Sequence, residues 1–482
     1  MISSIKIKGF RGFAEKQELK LAKPHEGKRG SGLTVIVGPN NGGKSTIIES
    51  FKLMSSGTDI SFAEGQRNKE AGDAVEIVLS SYNEGPTYSL RTISAGGHKA
   101  KRDPALQAGK KPEPLITVLP SRRFFNPYEK EASHGAGDTI VTRPDSITLN
   151  TRGKPINADD NELFKIVEDS TLYAEFNNLL TQILGYKLDW TVDLSNTGEY
   201  YIKINNNGFH DSDGLGEGLV SLLFLVEALL NQSPNKLLVI DEPELSLHPQ
   251  LQRNLLNLIL EKSKESQIVC ATHSPEMVSI NAIINGGTLA RVVNPGDGSK
   301  IYQLNEESID CLRKFEGDLF NPHVLGYDAR SCFFEDDKLV VVEGQEDVTF
   351  LKKALKDLGI NKKIHFFGFG AGGAEKIIRI ITILKSLGFA KVCCLYDGDK
   401  KSVKERVEDK FPKYKFELLI ADDIRDKECH FYNKCETLKD GDECKSCRPK
   451  RGIFDTENRI KEEYKEEFKS LLNRIADFWI EE

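Results

Sequence analysis

The sequence lacks long hydrophobic runs, an excess of basic charge, and abundant cysteine or methionine. No apolar stretch in the 482 residues approaches the ~20 that a membrane helix needs, so no membrane association of that kind is expected. Lys and Arg number 66 against 73 Asp and Glu, a net charge of −7. No global basic field therefore draws the chain to nucleic acid, and any such binding has to rest on local patches. The opening MISSIKIKGFRGF alternates like a strand and has no signal-peptide core, which makes the cytoplasm the expected location. Of nine cysteines, Cys270, Cys311, Cys332, Cys393 and Cys394 are scattered in apolar or mixed contexts and read as buried thiols. What remains is 39% hydrophobic and 29% charged, enough for two or three domains with full cores.

The first strong pattern is GLTVIVGPNNGGKSTIIESF: a β-branched strand, a glycine-rich loop from Gly38 to Gly43, and a helix opening at Lys44. The spacing fits GxxxxGK[ST]. The backbone of Gly38, Asn40, Asn41, Gly42 and Gly43 would cradle phosphates, with Lys44 on the β and γ phosphates, Ser45 on Mg²⁺, and Thr46 completing the motif. Further on, KLLVIDEPELSLHP is a buried strand ending in Asp241 and Glu242, suited to hold Mg²⁺ through water and to activate the attacking water. A later strand, QIVCATHSP, delivers His273, a structural residue if it stood alone and a γ-phosphate sensor in this company.

On IKIKGFRGF, GPNNGGKST, IDEPELSLHP and THSP, the chain resembles ABC-type ATPases of the RecF, SMC and OLD (overcoming lysogenization defect) group. SDGLGEGLVSLLFLVEAL, from Ser212, falls where that group carries its signature motif; by itself it reads as the glycine-bearing start of an amphipathic helix. The resemblance implies head-to-tail dimers or higher homo-oligomers. No sustained heptads lie between Gly43 and Ser212, which leaves no room for a coiled-coil arm. That region holds the short strands AVEIVLSSY and PTYSLRTIS and then a basic stretch with Lys99, Lys101, Arg102, Lys110, Lys111, Arg122 and Arg123. Such a stretch reads as a solvated loop, with contact to a phosphate backbone as the alternative.

After Asp328 strand and helix alternate at the spacing of a small parallel sheet: KLVVVEG, a helix from about Glu346 to Leu358, KIHFFGFG, the turn AGGAEK, a helix to about Leu387, then KVCCLYDGD. Ligand sites of such sheets lie outside the carboxyl ends of the strands, where Glu343, Asp347, Asp397 and Asp399 arrive. Residues i and i+2 of an extended chain share a face, so Asp397 and Asp399 are expected to converge. Four carboxylates together call for one or two Mg²⁺ or Mn²⁺ ions.

EGxxD followed by DxD resembles the Toprim domain, and an ABC ATPase followed by Toprim is the order of the OLD nucleases. The resemblance implies that Glu343, Asp347, Asp397 and Asp399 are metal ligands, with Glu343 also a possible acid/base. Asp347 stands where the family often has Glu, and Asp422, Asp423, Asp426 and Lys427 are candidates for its further acidic and lysine positions. Finally, Cys429, Cys435, Cys444 and Cys447 crowd one polar segment, with the two-residue spacing of a zinc knuckle between the last two. A structural Zn²⁺ fits them, with His430 as an alternative to Cys429.

The expected fold is α/β: an ABC-type (RecF/SMC-like) ATPase domain over 1–327 with an insertion at about 56–210, a Toprim parallel-sheet domain over 328–428, and a zinc-binding element with an amphipathic C-terminal helix over 429–482. The expected function is an ATP-regulated, Mg²⁺- or Mn²⁺-dependent DNA endonuclease of the OLD type in anti-phage defence, with DNA and a defence-system protein or ribonucleoprotein as partners. The alternative is an ATP-dependent DNA-binding recombination or repair factor whose Toprim domain does not cut. A topoisomerase or primase is the third reading; the chain lacks the bulk of either.

Overall fold

Leu33–Val37 is buried at every position, and it lies inside a six-stranded sheet of the first unit. From edge to edge the strands are Lys300–Gln303, Thr288–Val293, Leu33–Val37, Gln267–Ala271, Leu237–Asp241 and Ile116–Leu119. All pairings are parallel except the first, which is antiparallel. LTVIV, LLVID and QIVCA are continuous apolar runs because a parallel strand is covered on both faces. A second, antiparallel sheet runs Gln17–Lys20, Ile2–Lys8, Glu76–Ser81, Tyr88–Thr92 and Ala100–Asp103. Ile2, Ile5 and Ile7 of its second strand share one core with Ile36, Ile47 and Phe51.

The computed structural model describes the chain except residues 26, 58, 106–112, 122–161, 195–199, 205–216, 317–324, 336, 363, 427–450 and 479–482. The chain divides into two units, Met1–Gln303 and Leu304–Glu482. The division precedes the expected boundary at 328 because the helix Glu306–Glu316 belongs with the second unit. Its Ser308 Oγ lies within hydrogen-bond distance of Thr382 O (3.2 Å) and Ser386 Oγ (2.8 Å). Within the stretch expected as an insertion at about 56–210, Glu76–Ser81 pairs with the first strand and Ile116–Leu119 joins the phosphate-loop sheet.

In the second unit Lys338–Val341, Lys391–Tyr396 and Lys415–Leu418 form a parallel sheet. The helices Gln345–Asp357 and Ala374–Ser386 link its strands. The strand expected in KIHFFGFG is reduced to one bridge, Phe366 with Val340, because Gly368 (φ 51°) and Gly370 (φ 93°) turn the chain at once. The helix Lys465–Asp477 buries Phe468, Leu471, Leu472 and Ile475 in the same core as Val348 and Leu351. The five scattered cysteines are buried, as expected. No helix among the described residues is long and apolar enough to cross a membrane.

Arg102, read in the sequence as part of a solvated basic stretch, is half-buried and committed elsewhere. Its guanidinium donates to Met54 O (2.7 Å), Leu53 O (2.9 Å) and Ser56 O (2.9 Å), closing the end of the helix Lys44–Ser55. Three charge-assisted bonds to helix-end carbonyls tie the antiparallel sheet to the phosphate-loop helix. Arg102→Ala is expected to destabilise the first unit by about 2 kcal/mol, read as a lower denaturation midpoint. Tyr396 is fully buried, and its hydroxyl has no hydrogen-bond partner among the described residues. Tyr396→Phe is therefore expected to raise stability by about 1 kcal/mol, checked by the same denaturation experiment.

Candidate active sites

The phosphate loop leaves its strand through Gly38 (φ 135°), passes Asn41 (φ 63°) and enters the helix at Gly43 (φ 117°). A Cβ at Gly38 or Gly42 would stand 2.2 or 2.3 Å from Val292 O, so the neighbouring strand admits only glycine there. The helix has no side-chain cap and no acidic residue in its first turn, which leaves its amides and positive dipole end to an anion. Asn40, Asn41 and Ser45 are exposed at this mouth, and Thr46 is buried behind it. Lys44 is 6% exposed. Its Nζ donates to Gly38 O (2.7 Å) and Pro39 O (2.8 Å). Burial lowers its pKa to about 8, against the pull of Glu242, Asp241 and Glu244.

Parallel pairing in register sets Asp241 beside Ala271, so both strands end at one level. There Glu242 takes φ 46° and donates its amide to Ala271 O at 2.8 Å. Two residues past Ala271, His273 Nε2 lies 3.8 Å from Glu242 Oε1. Burial first and the Lys44 charge second push the His273 pKa down, with Glu242 opposing, which favours the neutral ring. The structure thus gathers a lysine, two acids and a histidine at the carboxyl edge of one sheet. Sequence reading passed over Glu244, which accepts the His273 amide at 2.6 Å. It also passed over Gln252, which accepts from Ser274 Oγ at 2.6 Å. Neither contact has a local pattern to announce it; the acidic PEL after the strand was the one hint. Ser212 to Gly216 lie outside the described residues, and the helix Glu217–Leu230 begins directly after them.

In the second unit Glu343, Asp347 and Asp397 are buried near the strand ends. Glu343 Oε1 accepts the Asp397 amide at 2.9 Å, which brings these two strand ends together. Asp347 Oδ2 instead accepts the Gly344 amide at 2.8 Å and caps its own helix. Asp399 does not follow Asp397 along an extended chain. The strand stops at Tyr396, a 3₁₀ turn spans Gly398–Lys400, and Asp399 pairs with Lys400 Nζ at 2.9 Å. Among the described residues no group of three or more His, Cys, Asp or Glu is arranged to hold a metal ion. Of the downstream candidates, Asp422 is exposed, while Asp423 is buried and accepts the Ile424 amide at 2.9 Å. Asp426 accepts from the Gly452 amide and Lys461, both at 2.8 Å, and so holds the Asp423–Arg425 and Gly452–Phe454 pair. Lys427, Cys429, His430, Cys435, Cys444 and Cys447 lie outside the described residues.

Two family models match the chain: "AAA ATPase domain" over residues 1–84, and "AAA domain, putative AbiEii toxin, Type IV TA system" over residues 113–279. Among curated proteins, it is 25% identical over 277 residues to "Endonuclease GajA" of Bacillus cereus (strain HuB5-5), covering 50% of this chain and 39% of that one. It is 24% identical over 314 residues to "Septu protein PtuA" of Bacillus thuringiensis, covering 59% of this chain and 74% of that one. The chain therefore spans well under half the length of the first of these relatives. Solved structures similar to it include the SMC head domain from Thermotoga maritima, 17% identical with TM-score 0.38 over 63% of this chain and 99% of that one. Another is the Smc head domain with an extended coiled coil bound to the C-terminal domain of ScpA from Pyrococcus furiosus, 15% identical with TM-score 0.41 over 65% and 99%. Both family models, each described as an AAA domain, fall in the first unit, which carries the mostly parallel sheet and the phosphate loop. The relatives bear out the resemblance to ATPase-nucleases of the OLD type drawn from the motifs.

The state of Lys44 leads to a test. Its charge is present below about pH 8 and lost above it, and a bound polyphosphate requires the charged form. ATP affinity is expected to hold between pH 6.5 and 7.5 and to weaken by up to about tenfold per pH unit above 8, measured by equilibrium binding. Lys44→Arg, charged throughout, is expected to remove that slope.

Proposed function

We propose that this chain is an ATP-regulated, divalent-metal-dependent DNA endonuclease of the OLD type, acting in anti-phage defence. The observation that carries the reading is the pairing of two carboxyl-edge sites on one chain. One is a phosphate loop with a buried lysine facing Asp241, Glu242 and His273; the other is the Glu343 and Asp397 pair closing the second parallel sheet. The similarity to an endonuclease and to a Septu protein supports it.

In the first unit the loop amides and Lys44 bind and orient the triphosphate, and Ser45 and Asp241 are the groups to hold its Mg²⁺. Glu242 is placed to take a proton from an attacking water, and the neutral His273 ring can donate one N–H to the γ-phosphate end. Dimerisation through these heads, with the segment from Ser212 meeting the partner's nucleotide, is part of the proposal. In the second unit the all-oxygen donors Glu343, Asp347, Asp397 and Asp399 suit a hard divalent cation. Such a cation, when bound, polarises a phosphoryl oxygen and lowers the pKa of a water. Glu343 holds the Asp397 amide and thereby fixes the edge that meets the phosphodiester. A structural Zn²⁺ on Cys429, Cys435, Cys444 and Cys447 belongs to the same proposal.

One observation favours a second reading, a DNA-binding factor that does not cut. Asp347 caps its own helix and Asp399 pairs with Lys400, so two of the four carboxylates have other duties.

Plasmid cleavage with Mg²⁺ or Mn²⁺, with and without ATP, separates the two. Cutting by the wild type that disappears in the Asp397→Ala, Asp399→Ala double variant is the expected result. DNA binding that persists in both proteins without any cutting would establish the second reading.

A further inference from the structure

The turn after the strand Leu237–Asp241 makes contacts that its acidic pair does not require. Glu242 (φ 46°) and Ser246 (φ 62°) fold it tightly, with the Leu245 amide on Glu242 O (3.1 Å) and the Leu247 amide on Glu244 O (3.0 Å). This folding turns the Glu244 side chain inward. Its Oε1 accepts the His273 amide at 2.6 Å, the Thr272 hydroxyl bonds to the same carboxyl, and its Oε2 is sealed from solvent. One residue further, Ser274 Oγ donates to Gln252 Oε1 at 2.6 Å, and Gln252 Nε2 donates back to Leu247 O at 2.8 Å. Thr272, His273 and Ser274 are thus gripped at successive positions by the turn and by the first turns of the helix Pro249–Lys262.

The grip answers a structural need. The sheet ladder ends at Ala271, and the His273 ring is only partly covered, so neither backbone pairing nor close packing fixes its aim. A carboxyl oxygen accepting the His273 amide at 2.6 Å supplies that aim. The turn is itself braced on its other side, where Ser246 Oγ donates to Glu217 Oε2 at 3.1 Å. A Cβ on Gly218 would stand only 2.4 Å from Ser246 O.

We propose that Glu244 and Gln252 are positioning residues that aim the His273 ring at the Glu242 and Lys44 end of the nucleotide site. This rests on the ATPase reading of that site and names the residues through which His273 acts. A misplacement of about 1 Å at a reacting group costs on the order of 100-fold in rate. Glu244→Ala and Gln252→Ala are accordingly expected to lower kcat for ATP hydrolysis about tenfold or more with KM nearly unchanged.

Glu244→Gln keeps an acceptor for the His273 amide and is expected to retain turnover near the wild type. A second readout is independent of hydrolysis: the His273 ring NMR signal, assigned by its loss in His273→Gln. It is expected to shift in both alanine variants and to stay in place in Glu244→Gln, with thermal unfolding confirming that each variant is folded. Wild-type turnover and an unmoved His273 signal in both alanine variants would overturn the proposal. A Glu244→Gln enzyme as slow as Glu244→Ala would also overturn it, because the charge rather than the acceptor would then matter. If the wild type binds ATP without hydrolysing it, the ATPase reading fails, and the His273 signal still decides the positioning claim.

Discussion

A single buried ammonium organises the first unit. Lys44 is shut away from water, and a cation in that position has to be met by oxygen on every side. The loop supplies two carbonyls, Gly38 O and Pro39 O, which point at Nζ only because Gly38 and Gly43 take positive φ. The sheet supplies the counter-charge. Leu237–Asp241 lies two places from Leu33–Val37, with Gln267–Ala271 between them, and the parallel register ends all three at one edge. Even distant features serve this arrangement: the Arg102 guanidinium closes the far end of the helix whose near end faces the phosphates.

The second unit repeats the architecture with a different electrostatic solution. Its strand ends also bring acids to a carboxyl edge, but three of the four have a donor of their own. Glu343 has the Asp397 amide, Asp347 the Gly344 amide and Asp399 the Lys400 ammonium. Carboxylates near one edge coexist when amides or an ammonium, rather than neighbouring acids, face their oxygens. The glycine-rich turn that follows Phe367 makes this possible. The Gly372 and Gly373 amides both donate to Glu343 O at 2.8 Å, and a Cβ at Gly370 would lie 2.8 Å from the Gly344 backbone. Here close packing of backbone on backbone, more than any ion pair, shapes the edge.

Legibility in the sequence tracks the range of the interaction. The buried parallel strands were readable because both faces demand apolar residues, so VIV, LLVI and IVC announce themselves; the phosphate loop was readable because its geometry is local. Asp397 and Asp399 misled because period-two alternation holds only inside a strand, and this one stops at Tyr396 before a 3₁₀ turn. Arg102 misled because its charge suggested solvent, whereas its partners, 46 to 49 residues away in the chain, are helix-end carbonyls. Glu244 was missed for the same reason. Its bond to the His273 amide spans 29 residues and uses a backbone donor, a kind of partner that every residue type except proline carries. Motifs therefore reveal the groups that face a ligand, while the side chains that aim those groups bond to backbone and leave no composition signal of their own.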